Sequence, residues 1–148
     1  MIEANVLKAK LQRSFSLYDD LVNGLSDEDL KLDLAGFPSN TIGQQLWCVV
    51  GARQSYLKAI LAESWQGFSC GLAWEETDKR LIVQNQLQDS RKNFLVAFET
   101  LTSLSQTQQS LVFDLIEHEA QHHGQLIRYL YGQKLPIPTS WKKRYNLE

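Results

Sequence analysis

The chain has 148 residues, 43% of them hydrophobic and 22% charged, which is typical of one globular domain over residues 1–148. Its formal net charge of −2 and the lack of a long apolar run argue against nucleic-acid, membrane-surface and membrane-spanning roles. Two cysteines are too few for a disulfide scaffold. Charged residues interrupt the first 15 positions, which is not the pattern of a signal peptide, so we expect a cytoplasmic protein.

Four segments have the apolar periodicity of long helices, and no segment shows the alternation of a strand. The first predicted helix covers residues 3–25, and Ser26 follows it as the cap of a short turn. The second begins after Asn40 or Thr41, either of which suits the N-cap position, and continues to about residue 63. Its centre is apolar almost all the way round, so this helix is predicted to lie in the middle of the protein.

A connection over residues 64–76 separates the second and third helices, and its length predicts a functional loop or a packed flap. The third helix is predicted over residues 77–102. Ser105 and Gln108 form a capping-box pattern at the start of the fourth helix. That helix is predicted to end just before Gly132, which suits the position after a helix C-terminus.

Two prolines near the end of the chain predict an extended segment over residues 134–139. Trp141 and Tyr145 follow this segment and are predicted to pack back on the helices. Together these elements predict an all-α fold, a four-helix bundle whose long crossover connection permits a topology other than up-down.

The fourth predicted helix carries the most informative feature of the chain, two histidines on an apolar seam. The seam advances by steps of four and three residues and consists of Leu111, Leu115, His118, His122, Gln125 and Tyr129. Two imidazoles on such a face forgo the stabilisation that buried leucines supply, and their nitrogens need partners. A divalent metal ion is the simplest partner for both.

The segment from His118 to His122 also satisfies the pattern H-E-x-x-H, in which Glu119 would be the general base of a zinc protease. The only carboxylate side chain downstream is that of Glu148, and His123 points about 100° away from His122 on a helix. The protease is therefore a remote alternative. Glu119 is expected to be solvated, but it is the natural candidate base if a water is activated.

A resemblance to a known family rests on two segments. His118, His122, His123, Gly124 and Gln125, followed by Gly132, resemble the closing helix of the DinB-like four-helix-bundle superfamily, which typically reads H-x-x-x-H-R-G-Q. Residues 41–48 resemble the second-helix segment of the same superfamily. The resemblance implies a DinB-like helical bundle over the whole chain.

The resemblance also implies a metal ion held by one residue of the second helix together with His118 and His122. The family's histidine at that second-helix position is replaced here by Cys48. A thiolate is a good ligand for zinc, so the expected metal ligands are Cys48, His118 and His122, and the expected ion is zinc or nickel.

Characterised relatives in this superfamily include bacillithiol and mycothiol S-transferases, and hydrolase activity is suggested for others. The resemblance therefore implies a metal-dependent transferase or hydrolase that activates a thiol or water for attack on a small electrophile. A low-molecular-weight thiol or another small molecule is the expected partner. DinB-like proteins are commonly homodimers, so a homodimer is expected as well.

Other interpretations of the same residues stay open. His118 and His122 would be satisfied core histidines in a metal-free, degenerate DinB-like bundle that dimerises or binds a partner. Cys48 would then pack as a small hydrophobe, and Cys70, in the connection, either reaches the mouth of the site or lies there by chance. Arg53 is unusual on so apolar a helix, and it pairs with a carboxylate, faces solvent or holds an anionic substrate group.

Overall fold

A computed structural model describes residues 2–148, and every regular element within them is a helix. The six α-helices are α1 (Ala4–Asn23), α2 (Asp27–Leu30), α3 (Ile42–Ala62), α4 (Arg80–Glu99), α5 (Gln106–Gly132) and α6 (Thr139–Tyr145). A 3-10 turn, Trp74–Glu76, lies between α3 and α4. Across residues 2–148 no helix is both long and apolar enough to cross a membrane. The predicted all-helical class is confirmed.

Side-chain caps begin α2, α3 and α5 as the sequence predicted. Thr41 Oγ1 accepts from the backbone N–H of Gln44 at 3.1 Å, and Gln44 Oε1 accepts from the N–H of Thr41 at 3.0 Å. Ser105 and Gln108 form the same reciprocal pair at the start of α5. Ser26 likewise caps α2. Each capping box satisfies two amides that have no partner inside the helix.

The four long helices pack around one interior, and their contacts close a ring in the order α1, α4, α3, α5. Helices α1 and α3 follow each other among the long helices, yet they lie diagonally across this ring. The long connection between α3 and α4 therefore joins neighbours, whereas the link from α1 to α3 crosses the bundle. The topology is therefore not simple up-down, but the prediction that the connection over residues 64–76 is the crossover is wrong, because that connection joins helices that pack against each other.

Two apolar clusters fill the interior, one toward each end of the bundle. Helix α5 contributes Val112 and Leu115 to one cluster and Leu126 and Leu130 to the other. The stretch 118–123 of α5 lies between these two clusters. Its polar side chains therefore occupy a layer in the middle of the bundle.

The ends of several helices differ from the predicted ones. Helix α4 begins at Arg80 rather than near residue 77, because the 3-10 turn and its flanking residues occupy the approach to it. Helix α5 runs through Gly132, and it is Lys134 that takes the left-handed conformation, with φ of 56°. The short helix α6 was not predicted, because the prolines before it indicated only an extended segment.

The tail packs back on the bundle, as predicted. Trp141 is fully buried, and its indole N–H donates to the backbone oxygen of Leu17 on α1 at 2.6 Å. The connection after α3 is also packed down. Its Phe68 ring lies directly over Gly51, where any Cβ would collide with the ring, and Ser55 Oγ donates to the oxygen of Ser69 at 3.0 Å.

Candidate functional site

The buried face of α5 is rotated by about one residue from the predicted seam. Its buried side chains are those of Gln108, Val112, Leu115, Glu119, His122, His123, Leu126, Tyr129 and Leu130. Leu111, His118 and Gln125 are only partly buried. The predicted seam and the observed face share Leu115, His122 and Tyr129, and the helical repeat of 3.6 residues allows both. The expectation that Glu119 is solvated is therefore wrong.

His122 is held by an amide from α3. Its Nδ1 lies 2.5 Å from Oε1 of Gln45, whose Nε2 in turn lies 3.5 Å from the Tyr129 hydroxyl. Only 7% of the His122 surface is exposed. Because the amide oxygen can only accept a hydrogen bond, Nδ1 of His122 carries the hydrogen and Nε2 keeps its lone pair. This contact fixes the tautomer in which Nε2 is free to bind a cation.

His118 stacks one turn away, and its ring is less satisfied. The centroids of the His118 and His122 rings are 4.6 Å apart at an interplanar angle of 55°. Nδ1 of His118 is buried and has no hydrogen-bond partner among the described residues. A buried polar atom without a partner costs roughly 1–3 kcal/mol. We call His118 and His122 the histidine pair.

Burial keeps both members of the histidine pair uncharged at neutral pH. Burial, together with the neighbouring His118, lowers the pKa of His122 to about 4. Burial also lowers the pKa of His118, although the carboxylate of Glu119 opposes this shift. Neutral imidazole is the form that coordinates metal ions.

Cys48 does not join the histidine pair. Throughout residues 2–148, no three histidine, cysteine, aspartate or glutamate side chains are grouped so that they could hold a metal ion. Gln45, three residues earlier on α3, takes the place beside His122. Cys48 is half-buried and free. Burial raises the pKa of the Cys48 thiol. The environment therefore favours the protonated thiol over the thiolate that would bind a metal or act as a nucleophile.

Cys70 belongs to the packed connection. Its Sγ donates to the backbone oxygen of Trp47 on α3 at 3.4 Å. Burial raises the pKa of the Cys70 thiol, and the thiol of Cys48 adds to that rise. The two cysteines thus lie near each other where the connection packs on α3.

Glu119 forms a fully buried ion pair with Arg53 of α3. Arg53 Nε donates to Oε1 of Glu119 at 2.8 Å, and both side chains are completely inaccessible to solvent. The remaining guanidinium donors reach Oε2 of Glu119 at 3.4 Å and the backbone oxygen of Leu87 at 3.2 Å. The guanidinium carbon also lies 4.3 Å from the Phe15 ring centroid. Arg53 therefore pairs with a carboxylate, one of the predicted alternatives.

A continuous chain of hydrogen bonds extends this ion pair to His123. Ser14 Oγ donates to Oε2 of Glu119 at 2.9 Å and lies 3.4 Å from Nε2 of His123. The Tyr145 hydroxyl lies 2.6 Å from Nδ1 of His123. Burial lowers the pKa of His123 to about 3. The neutral His123 ring therefore accepts a hydrogen bond from the Tyr145 hydroxyl at Nδ1 and donates one from Nε2 to Ser14 Oγ.

We call Ser14, Arg53, Glu119, His123 and Tyr145 the buried ion-pair cluster. Both carboxylate oxygens of Glu119 accept hydrogen bonds within this cluster, and the Glu119 side chain is completely buried. The role of Glu119 as a general base is thus not supported. The protease interpretation loses its base for the same reason, since both oxygens of Glu119 are already bonded to Arg53 and Ser14.

The histidine pair fits the chemistry of a zinc or nickel ion in part. It supplies two neutral imidazoles, one with a free Nε2 and one with an unpartnered buried Nδ1. Catalytic zinc sites have three protein ligands and an open position. The residues described here supply two of the three.

Sequence reasoning missed Gln45 and the shared burial of Glu119 and His123. Gln45 carried one signal, a polar residue on an otherwise apolar helix, but an amide matches no metal motif. Arg53 carried the same kind of signal and was noted. Nothing in the sequence around His123 indicates that Tyr145, from the end of the chain, lies against its ring.

No protein-family model matches the chain, and no curated protein matches it significantly. The chain's family membership is therefore a proposal that rests on the residues and geometry described above.

Proposed function

We propose that the protein is a metal-dependent enzyme of the DinB-like superfamily, with the histidine pair as its metal site. The observation that carries the proposal is the buried, unpartnered Nδ1 of His118 beside an oriented, neutral His122. Four long helices and two H-x-x-x-H histidines on the last of them support the DinB-like assignment. The proposed reaction is the attack of a thiol, or of water in a hydrolysis, on a small electrophile.

The chain's own residues have three tasks in this proposal. His118 and His122 hold a zinc or nickel ion through ring nitrogens that no other residue occupies. Gln45 holds the tautomer that leaves Nε2 of His122 free, and burial keeps both rings uncharged. When bound, such an ion lowers the pKa of a thiol or water, so that a nucleophile exists near neutral pH.

Equilibrium metal binding tests the proposal. Purified, metal-free protein is titrated with zinc, and separately with nickel, against a chromophoric chelator. We expect one ion per chain, and His118→Asn and His122→Asn should each weaken binding by roughly a hundredfold or more. The matched control is His123→Gln, whose imidazole lies in the buried ion-pair cluster and whose loss should leave metal affinity unchanged, with circular dichroism confirming that it folds.

Two results would overturn the metal site. One is wild-type protein that binds neither zinc nor nickel. The other is binding that survives unchanged in both pair variants, which would place the ion elsewhere.

A metal-free bundle that forms a homodimer is the second candidate function. It is favoured by the absence of a third metal-binding side chain in residues 2–148 and by the exposed aromatic surface of the connection. Trp65, Phe68 and Trp74 are 52%, 47% and 45% exposed. Sedimentation equilibrium of wild type and Trp74→Ser tests association, and a chelator should leave the melting temperature unchanged if no metal is bound.

A further inference from the structure

A cavity of about 370 Å³, open to solvent, is lined in part by Gln45, the residue that contacts His122. It lies between the loop before α3, the first turns of α3 and the last third of α5. Its lining includes Ser39, Asn40, Gln45, Gln125, Arg128 and Tyr129. This volume is within the range of pockets that bind small molecules, about 300–1,000 Å³.

The cavity carries one charged group, and that group is a cation. Arg128 lines the cavity, and no aspartate or glutamate does. Arg128 is exposed to solvent and, within residues 2–148, takes part in no ion pair, so its guanidinium is available to a ligand that enters the cavity. The other polar lining groups are amides and hydroxyls, including Gln125 and Ser39. A planar guanidinium among such groups suits two-point recognition of a carboxylate.

Gln45 connects the cavity to the proposed metal site. It is only 7% exposed, and its side chain both lines the cavity and holds Nδ1 of His122. A molecule in the cavity would therefore lie one side chain away from His122. The Tyr129 hydroxyl, 3.5 Å from Nε2 of Gln45, borders the same space.

We propose that this cavity binds a small molecule with a carboxylate group, which Arg128 anchors while the rest of the molecule extends toward Gln45 and His122. The proposal rests on the proposed function only for the fate of that molecule, because recognition by Arg128 needs no metal ion. It assigns the substrate, or one part of it, to the class of small carboxylates.

The experiment compares two probes of equal size on the full chain. Hexanoate and hexanamide have nearly the same size and shape, but the amide is uncharged and has an N–H donor group in place of one carboxylate oxygen. Their binding is followed by amide and side-chain NMR shifts of metal-free protein at neutral pH. We expect hexanoate to shift the signals of Gln45 and Gln125 and to bind roughly tenfold more tightly than hexanamide. Arg128→Gln should abolish that preference, because the only lining charge is removed.

Two further variants make the result specific. Arg13→Gln removes an exposed arginine of α1 that does not line the cavity, and it should keep the preference for hexanoate. Asn40→Trp places a large ring at the exposed rim, and it should weaken both probes.

Equal affinity for the two probes, unchanged binding by Arg128→Gln, or shifts confined to other regions would each overturn the carboxylate site. Metal content is measured on the same preparations. Carboxylate binding without any metal binding would support the cavity and reject the metal-dependent function, and the reverse result would reject the cavity alone.

Discussion

Helix α5 places two groups of buried polar residues side by side, and they differ in how completely their hydrogen bonds are satisfied. In the buried ion-pair cluster, Arg53, Ser14 and Tyr145 give every polar atom of Glu119 and His123 a partner. In the histidine pair, a ring nitrogen is buried without a partner.

This difference separates structural from functional use of polar residues in one layer of the bundle. A satisfied network orders the helices around it and leaves no group for a ligand. An unsatisfied one costs stability, and a chain keeps it where a ligand completes it. The comparison points to the histidine pair, rather than the H-E-x-x-H glutamate, as the place where a ligand binds.

Removing one partner of the buried ion pair should have the largest effect on stability. Arg53→Met leaves the carboxylate of Glu119 buried without compensation, so we expect the free energy of unfolding to fall by about 3–5 kcal/mol. Urea denaturation measures this loss. The double variant Arg53→Met/Glu119→Leu should recover most of it, because no charge is then left unpaired. A loss below about 1 kcal/mol for the single variant would show that the pair is not desolvated.

Acid should destabilise the protein through its buried histidines. Burial lowers the pKa of His122 to about 4 and of His123 to about 3, against 6.5 for an ordinary histidine. As the pH falls below about 6.5 the unfolded state takes up protons first, so stability is full above this pH and declines toward pH 4. We expect a loss of roughly 1–2 kcal/mol for each of the two histidines between about pH 7 and about pH 5.

Urea midpoints at these two pH values check the acid effect. His123→Gln supplies the control, because it removes the contribution of one of the three buried or partly buried histidines and should reduce the pH dependence. A midpoint that rises on acidification would contradict the burial of both rings.

The link between the tail and the buried ion-pair cluster should have a smaller effect. Tyr145→Phe removes the hydroxyl that donates to Nδ1 of His123, and we expect a loss of about 1–3 kcal/mol in the free energy of unfolding. Tyr131→Phe is the matched control, since its exposed hydroxyl makes only a 3.4 Å contact with the oxygen of Glu148. Equal effects of the two substitutions would show that the tail is not anchored through His123.

The neighbours of the histidine pair should differ in their effect on metal affinity. Gln45→Leu removes the acceptor that orients His122, and we expect zinc to bind roughly tenfold more weakly. Cys48→Ser should change the affinity by less than about twofold, because Cys48 lies outside the pair. Chelator competition measures both, and a large loss in Cys48→Ser would restore Cys48 as the ligand that the resemblance implied.

Local patterns predicted most of the fold and part of the site. The capping boxes at Thr41 and Ser105 act within a few residues, so the sequence was sufficient to predict where α3 and α5 begin. The sequence does not determine which face of α5 is buried, because helical periodicity fits two adjacent seams. The burial of Glu119 depends on Arg53, which lies 66 residues away, and no local pattern contains that information.

Gln45 and α6 show the same limit. An amide beside His122 becomes meaningful only when α3 and α5 are packed together, 77 residues apart in the chain. The short α6 follows prolines and has seven residues, too few for helical periodicity to predict it. Its place is determined by the burial of Trp141 against α1.

Long-range proton–nitrogen NMR of the imidazole rings tests the central claim most directly, because it reports every ring nitrogen separately. On addition of one equivalent of zinc, we expect a nitrogen of His118 and Nε2 of His122 to shift as metal-bound nitrogens do, while both nitrogens of His123 keep their frequencies. Unchanged spectra for His118 and His122, or a shift at His123 instead, would contradict the account.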